Sequence, residues 1–136
     1  MTAAIIDGKT IAGDLRARVA AAVLELKSKG VAPGLAVVLV GDHPASDVYV
    51  RNKGKAAEAA GIRSIEHRLP AATPEADVIA LVRRLNADAG VDGVLVQMPL
   101  PAHISAARVI NQIAPEKDVD GLTEVNAGRL LLGEKG

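Results

Sequence analysis

Two short runs constrain this chain more than anything else in it: Gly34-Leu-Ala-Val-Val-Leu-Val-Gly41 and Asp92-Gly-Val-Leu-Val-Gln-Met-Pro99. Both are almost continuously apolar, rich in β-branched residues and bounded by glycine or proline. They are too short for typical helices and lack the alternation of a strand with one wet face. Such runs suit strands covered on both faces, as in a parallel sheet between layers of helix. Parallel strands cannot be joined by a hairpin, so the chain between the runs has to cross back over the sheet.

The intervening sequence supplies those crossings. Ala45 to Ala60 reads as a helix and Ile62 to Leu69 as a weaker strand. Thr73-Pro74-Glu75 opens a second helix, with Thr73 as N-cap, Pro74 in the first position and a carboxylate in the first turn. Val78, Leu81, Val82 and Leu85 share its inner face. Upstream, Ile11, Leu15, Val19, Val23 and Leu26 form a helical stripe within Thr10 to Lys29, which predicts Thr10 as N-cap and Gly30 as a left-handed stop. Downstream, Ile104 to Ile113 reads as a shorter helix, Pro115 to Gly121 as a polar turn and Val125 to Leu132 as a last helix. Gly133-Glu-Lys-Gly136 has the composition of a linker's start. This alternation predicts an α/β domain of three αβα layers with a mostly parallel sheet of three to four strands, Ala3 to Ile6 being the candidate fourth. The 136 residues amount to one domain, without internal repeats.

Composition names the material of the core and removes several functions. Hydrophobic residues are 49% of the chain, yet it has no Phe, Trp or Cys and one Tyr, Tyr49. The core must therefore be built of Ala, Val, Leu and Ile. Lys and Arg number 16 and so do Asp and Glu, which leaves no basic stripe for nucleic acid or an anionic membrane, and the aromatic platforms of single-strand binders are missing. No apolar run reaches the roughly eighteen residues of a membrane span, and Met1 to Thr10 lacks the basic start and cleavage pattern of a signal peptide. A soluble, cytoplasmic chain is the expectation. The lack of cysteine excludes disulfides and thiolate chemistry. Neither apolar run is followed by Gly-x-Gly-x-x-Gly or a P-loop pattern, so no dinucleotide fingerprint is present. His43, His67 and His103 lie far apart without metal-ligand spacing and read as surface or loop residues. Asp118-Val-Asp120-Gly121 carries only a fragment of a calcium loop, so no metal is expected.

Three segments hold residues whose types and positions ask for a reason. In Ser46-Asp-Val-Tyr49-Val-Arg-Asn-Lys53, helical spacing puts Ser46, Tyr49 and Lys53 on one surface, just past the carboxyl end of the first strand, where open α/β sheets place ligands. Spacing alone is a weak signal and better suits a solvated lysine and a ring covering its helix. Gln97 interrupts the second apolar run; buried, its carboxamide needs partners or costs about 1–3 kcal/mol, and strand alternation could instead leave it in water. Pro99-Leu-Pro101 then ends the strand, with room for a cis bond. The third segment, Lys117-Asp-Val-Asp120-Gly121, puts two carboxylates in what could be an ordinary turn.

Taken together these segments resemble one family. Val40-Gly-Asp-His-Pro-Ala-Ser46 through Lys53-Gly-Lys-Ala-Ala-Glu-Ala-Ala-Gly61, then Asp92-Gly-Val-Leu-Val-Gln97-Met-Pro-Leu-Pro101, then Pro115-Glu-Lys-Asp-Val-Asp120 through Asn126-Ala-Gly-Arg-Leu130 are similar, in order, to signatures of the bifunctional methylenetetrahydrofolate dehydrogenase/methenyltetrahydrofolate cyclohydrolases of the FolD type. The likeness starts at Ile5 and runs to the end of the chain. It implies that Tyr49 stacks on the aminobenzoyl ring of folate, that Lys53 is the central catalytic amine, that Gln97 orients it and that Asp120 accepts hydrogen bonds from the pterin edge. Val50, Arg51, Asn52, Val96, Met98, Pro99 and Leu100 would line the folate slot, with Ser46 in support.

The implied chemistry is coherent. Hydride loss from the methylene bridge leaves a cationic methenyl carbon, and water attack on that carbon opens the ring to the 10-formyl product. An ammonium beside the cation would be repelled, so Lys53 works best as a neutral amine that activates water and returns the proton to the departing nitrogen. A carboxamide can hold that amine without favouring its charged form. Two carboxylate oxygens suit the neighbouring donors of a pterin edge.

Family members run to about twice this length, with NADP or NAD bound by a further domain and a homodimer formed largely through it. Residues 1–136 would then be the amino-terminal folate-binding catalytic domain, expected to be a monomer by itself, without dehydrogenase activity and with weak or absent cyclohydrolase activity. Two other readings stay open at this level: a stand-alone folate-binding module without catalysis, and an α/β scaffold acting through protein contacts.

Overall fold

The first apolar run becomes β1, Gly34–Val40, the central strand of a three-stranded parallel sheet in the order β2-β1-β3. Its neighbours are β2, Arg63–Leu69, and β3, Gly93–Val96. The computed structural model describes residues 5–134. Gly34 lies beside Arg63 and Val40 beside Leu69 on one side of β1, while Leu35 pairs with Gly93 and Val38 with Val96 on the other. The strand expected over the whole second run is thus four residues long. Its ladder ends where the Gln97 N–H donates to the Val38 carbonyl at 2.8 Å, and Pro99, which has no N–H to give, cannot extend it. Of the candidate fourth strand, Ala3 and Ala4 lie outside the described residues, and Ile5 and Ile6 are exposed and in no strand.

Among the described residues five α-helices flank or follow the sheet: α1, Gly8–Ser28; α2, Pro44–Ala59; α3, Glu75–Ala87; α4, Ala106–Ile110; and α5, Glu124–Leu132. Two expected caps are corrected. Asp7, and not Thr10, caps α1: its carboxylate accepts from the N–H groups of Lys9 and Thr10 at 3.0 and 3.2 Å and from the Thr10 hydroxyl at 2.6 Å. Both residues are good caps, and the earlier one wins because the later one can serve it as a donor. On α3 the N-cap is Pro74, extended at ψ 145°, which shifts the start one residue past the expected Thr73 cap. Gly30, Gly61 and Gly133 end α1, α2 and α5 with positive φ, the backbone that glycine adopts without strain.

The sheet separates two unequal cores. On one face Val78, Leu81, Val82 and Leu85 of α3 meet Ala36, Val38, Val40, Val94 and Val96, and Val91, Ile104, Val109 and Ile113 complete the cluster. Each fully buried Val or Leu there is worth about 1.5–3 kcal/mol. On the other face only Val37, Leu39, Leu95 and, from α2, Val50 are buried together, with Leu35 alongside. Strand alternation sends Val94 and Val96 to the first core and Leu95 to the second, so Gln97 emerges on the α2 side.

Candidate active site

α2 begins three residues past β1, after the Gly41 turn, which stands its first two turns over the carboxyl end of the sheet. Pro44 suits the first helical position, and Asp47 in the first turn ties the helix outward, accepting from Arg51 at 2.7 Å and from Arg68 of β2 at 2.5 Å. Arg68 also pairs with Glu66. The hydrogen bond from Arg68 holds the Asp47 carboxyl below its ordinary value, against a smaller opposing effect of desolvation.

Within this frame the residues at the i, i+3 and i+4 positions divide by burial. Ser46 is buried, its hydroxyl 3.4 Å from the Met98 carbonyl oxygen. Val50 is 1% exposed and belongs to the core, so its side chain turns away from the surface where Tyr49 lies 62% exposed. Lys53 is half-buried, and its Nζ donates to Gln97 Oε1 at 3.2 Å. Gln97 Nε2 in turn donates to the Met98 carbonyl at 2.8 Å. That second bond decides the orientation of the carboxamide. A carbonyl oxygen can only accept, so the NH2 group must face Met98 and the oxygen must face the lysine. Gln97 is therefore a half-buried and satisfied carboxamide, not a solvated one. Met98 precedes Pro99 through a cis peptide bond, and its carbonyl is the acceptor toward which both Gln97 and Ser46 point.

The other expected site residues fall around this centre. Arg51 and Asn52 are exposed on α2, Arg51 being paired with Asp47. Val96 is in the α3-side core, with Met98 and Leu100 packed against it, and Pro99 is exposed at the turn. Asp120 is exposed in the turn after a 3-10 segment, Pro115–Lys117, and no hydrogen bond ties it to the lysine centre. The structure thus joins Ser46, Lys53, Gln97 and Met98, leaves Tyr49 free at the rim, and holds Asp120 apart beyond β3.

Two residues that sequence reasoning passed over are prominent here. Asp118 pairs with Val94 in an isolated parallel bridge and gathers the loop's donors on its carboxylate. An aspartate five residues before a threonine N-cap was a local signal available in the sequence. His67 is the other: it was expected at the surface, but it is half-buried on β2 and its Nε2 is buried without a partner. Among the described residues no group of three or more His, Cys, Asp or Glu is gathered to hold a metal ion, and no helix is long and apolar enough to cross a membrane.

A parallel α/β domain that fixes a lysine amine against a neutral carboxamide at the carboxyl edge of its sheet is the class this fold and site define. Residues 6–120 match the family described as tetrahydrofolate dehydrogenase/cyclohydrolase, catalytic domain, and the chain belongs to that family. It is 61% identical to the bifunctional protein FolD of Maricaulis maris over its whole length, covering 46% of that relative. With the FolD of Rhodopseudomonas palustris it shares 59% over 98% of its length, covering 45%. The chain therefore spans about half the length of the curated relatives it matches. Among solved structures, the bifunctional FolD of Campylobacter jejuni superimposes with a TM-score of 0.94 at 42% identity, over 96% of this chain and 46% of that one. The Trypanosoma brucei enzyme complexed with NADP cofactor and inhibitor does so at 0.90 and 37%, over 100% and 47%.

Proposed function

We propose that residues 1–136 are the folate-binding catalytic domain of a protein that oxidises 5,10-methylenetetrahydrofolate with NADP and hydrolyses the methenyl product to 10-formyltetrahydrofolate. The observation that carries this reading is the Lys53–Gln97 pair, an amine held at 3.2 Å by a carboxamide whose orientation a backbone carbonyl dictates. Tyr49, exposed beside it, offers a ring face to the aminobenzoyl group. Lys53 takes a proton from the water that adds to the methenyl carbon and returns it to the ring nitrogen as the carbon–nitrogen bond breaks. Gln97 holds the amine in line for both transfers and brings no charge of its own. Asp120 accepts from the pterin edge, and the backbone from Val96 to Leu100, with Arg51 and Asn52, borders the slot.

The residues of this chain do not fit the nicotinamide cofactor. The turn after β1, Gly41-Asp-His-Pro44, has one glycine where a dinucleotide cradle carries a row of them, and a proline at the first helical position. NADP belongs, on this reading, to the part of the relatives that this chain does not match. The whole protein is on the same reading a cytoplasmic homodimer.

Calorimetric titration of this chain with 5-formyltetrahydrofolate tests the proposal. Binding is expected, weakened about tenfold in Tyr49→Ala by loss of the stacked ring. A chain that binds no folate, or binds it equally well in Tyr49→Ala and Lys53→Ala, would refute the assignment.

A further inference from the structure

The carboxylate assigned to the pterin, Asp120, stands in a loop that nothing in the strand ladder holds beyond one bridge. Two residues earlier, Asp118 meets Val94 of β3 in that bridge. The chain turns there, the Gly121 N–H donating to the Asp118 carbonyl at 3.3 Å, and Asp120 in that turn lines a small cavity together with Val94, Leu95 and Val96 of β3. The loop's position along β3 thus decides whether the pterin contact and the lysine centre share one ligand.

Asp118 is built to set that position. Its Oδ1 accepts from the Leu122 N–H at 3.3 Å. Its Oδ2 accepts from the Thr123 N–H at 2.9 Å, the Thr123 hydroxyl at 2.8 Å and Asn126 Nδ2 at 3.0 Å. Asn126 Nδ2 also reaches the Pro115 carbonyl at 2.8 Å, which closes the loop's two ends on each other. Thr123 is buried and caps α5. Val119 packs over Gly93, where any Cβ would collide with it, so the loop lies flat against the strand. None of these bonds ends on Asp120, which stays exposed before the positive-φ turn at Gly121. One aspartate is spent on the loop, and the other is left for a ligand.

We propose that Asp118 is a positioning residue for the folate site: by collecting the donors of Leu122, Thr123 and Asn126 it registers the loop on β3 and so presents Asp120 to the pterin. The inference rests on the folate reading above and adds to it a residue that touches no substrate. If it holds, disturbing Asp118 harms recognition of the pterin and spares recognition of the rest of the ligand.

The experiment is a titration of this chain with 5-formyltetrahydrofolate and with 4-aminobenzoylglutamate, which lacks the pterin, across Asp118→Asn, Asp120→Asn and the double variant. Asp118→Asn is expected to weaken the pterin-bearing ligand about tenfold and to have no further effect once Asp120 is Asn, the non-additivity of residues acting through one contact. Affinity for 4-aminobenzoylglutamate should not change. Thr123→Val, which removes one donor and keeps the carboxylate, should give a smaller loss of the same kind and serves if Asp118→Asn does not fold. Equal weakening of both ligands, additive losses, or unchanged affinity in Asp118→Asn beside a weakened Asp120→Asn overturns the inference while leaving the folate reading intact; unchanged affinity in both variants overturns the inference and the assignment of Asp120 to the pterin. A wild-type chain that binds neither ligand overturns both.

Discussion

The two faces of the sheet are built from the same strands and do different work. Thirteen buried residues form the core on the α3 side, and four form the core under α2. The thick face has two helices and a sealed apolar interior, and among the candidate site residues only Val96, Met98 and Leu100 touch it. The thin face carries Ser46, Lys53 and Gln97, each polar and each at least partly removed from water. A helix that must offer an amine and a ring to a ligand cannot also bury its full width, so α2 rests on the sheet through Val50 and takes further anchorage from polar contacts at Asp47 and Ser46. Stability and chemistry are assigned to opposite sides, and substitutions should separate them.

The largest expected effect lies on the thick face. Leu81→Ala removes most of a buried side chain from a packed interior and should cost about 3 kcal/mol, read as the shift in a urea unfolding curve. Folate affinity measured below the unfolding range should stay within a factor of about two, since distant sites are largely independent. Loss of affinity in the folded variant would mean that the two faces are not separable.

Val50→Ala is the matching change on the thin face. Deleting two methyl groups there should cost about 2 kcal/mol, at roughly 0.8 per buried carbon plus a cavity contribution. It should also lower folate affinity severalfold, because Val50 anchors on β1 and β3 the turn of α2 that carries Tyr49 and Lys53. A variant as destabilised as expected but with unchanged affinity would show that the polar contacts alone hold α2 in place.

The same contrast marks how much could be read from the chain itself. β1 and the inner face of α3 were legible because burial on both faces, or along a helical stripe, writes itself into residue spacing. Tyr49 and Lys53 shared a surface by the same rule. Ser46 was expected there too, yet its partner is the backbone carbonyl of Met98, and a backbone acceptor leaves no trace in residue identity. Gln97 stood out as a polar residue in an apolar run, but Lys53, 44 positions away, could not be named as its partner from spacing. α1 shows the limit most plainly: of its five stripe residues only Val23 is buried, and Ile11, Leu15, Val19 and Leu26 are exposed. Periodicity states that a face is apolar and is silent on what covers it. Asp118 was passed over because two carboxylates in a turn look solvated until the donors around one of them are seen.

One polar atom interrupts the thick face. Strand alternation puts His67 between Ile65 and Leu69, both packed against the α3-side core, and its Nε2 is the one buried side-chain polar atom among the described residues without a partner. An unmet donor or acceptor of this kind costs about 1–3 kcal/mol. His67→Leu should therefore raise stability by about 1 kcal/mol in the same urea measurement, with folate affinity unchanged. A loss of stability would mean that the ring's packing outweighs its unmet nitrogen.

The smallest effect belongs to the exposed anchor of the thin face. The Asp47 carboxyl is held below its ordinary value first by the Arg68 hydrogen bond, against desolvation, with Arg51 adding to the charge attraction. A carboxyl lowered in the folded state stabilises fully above its unfolded pKa, about 3.9, and loses that contribution as pH falls through the folded value. Asp47→Asn should thus lower Tm slightly at pH 7, and the difference from wild type should begin to shrink near pH 4 and close only once pH has fallen below the lowered folded value, where the carboxyl is protonated in both states. Raising the salt concentration at pH 7 should shrink the same difference, because Asp47, Arg51 and Arg68 meet at the surface, where ions screen them. A Tm difference that persists unchanged at low pH would assign the role of Asp47 to the packing of its side chain and not to its ion pairs, and the polar anchorage of α2 would then rest on Ser46 and the Lys53–Gln97 pair.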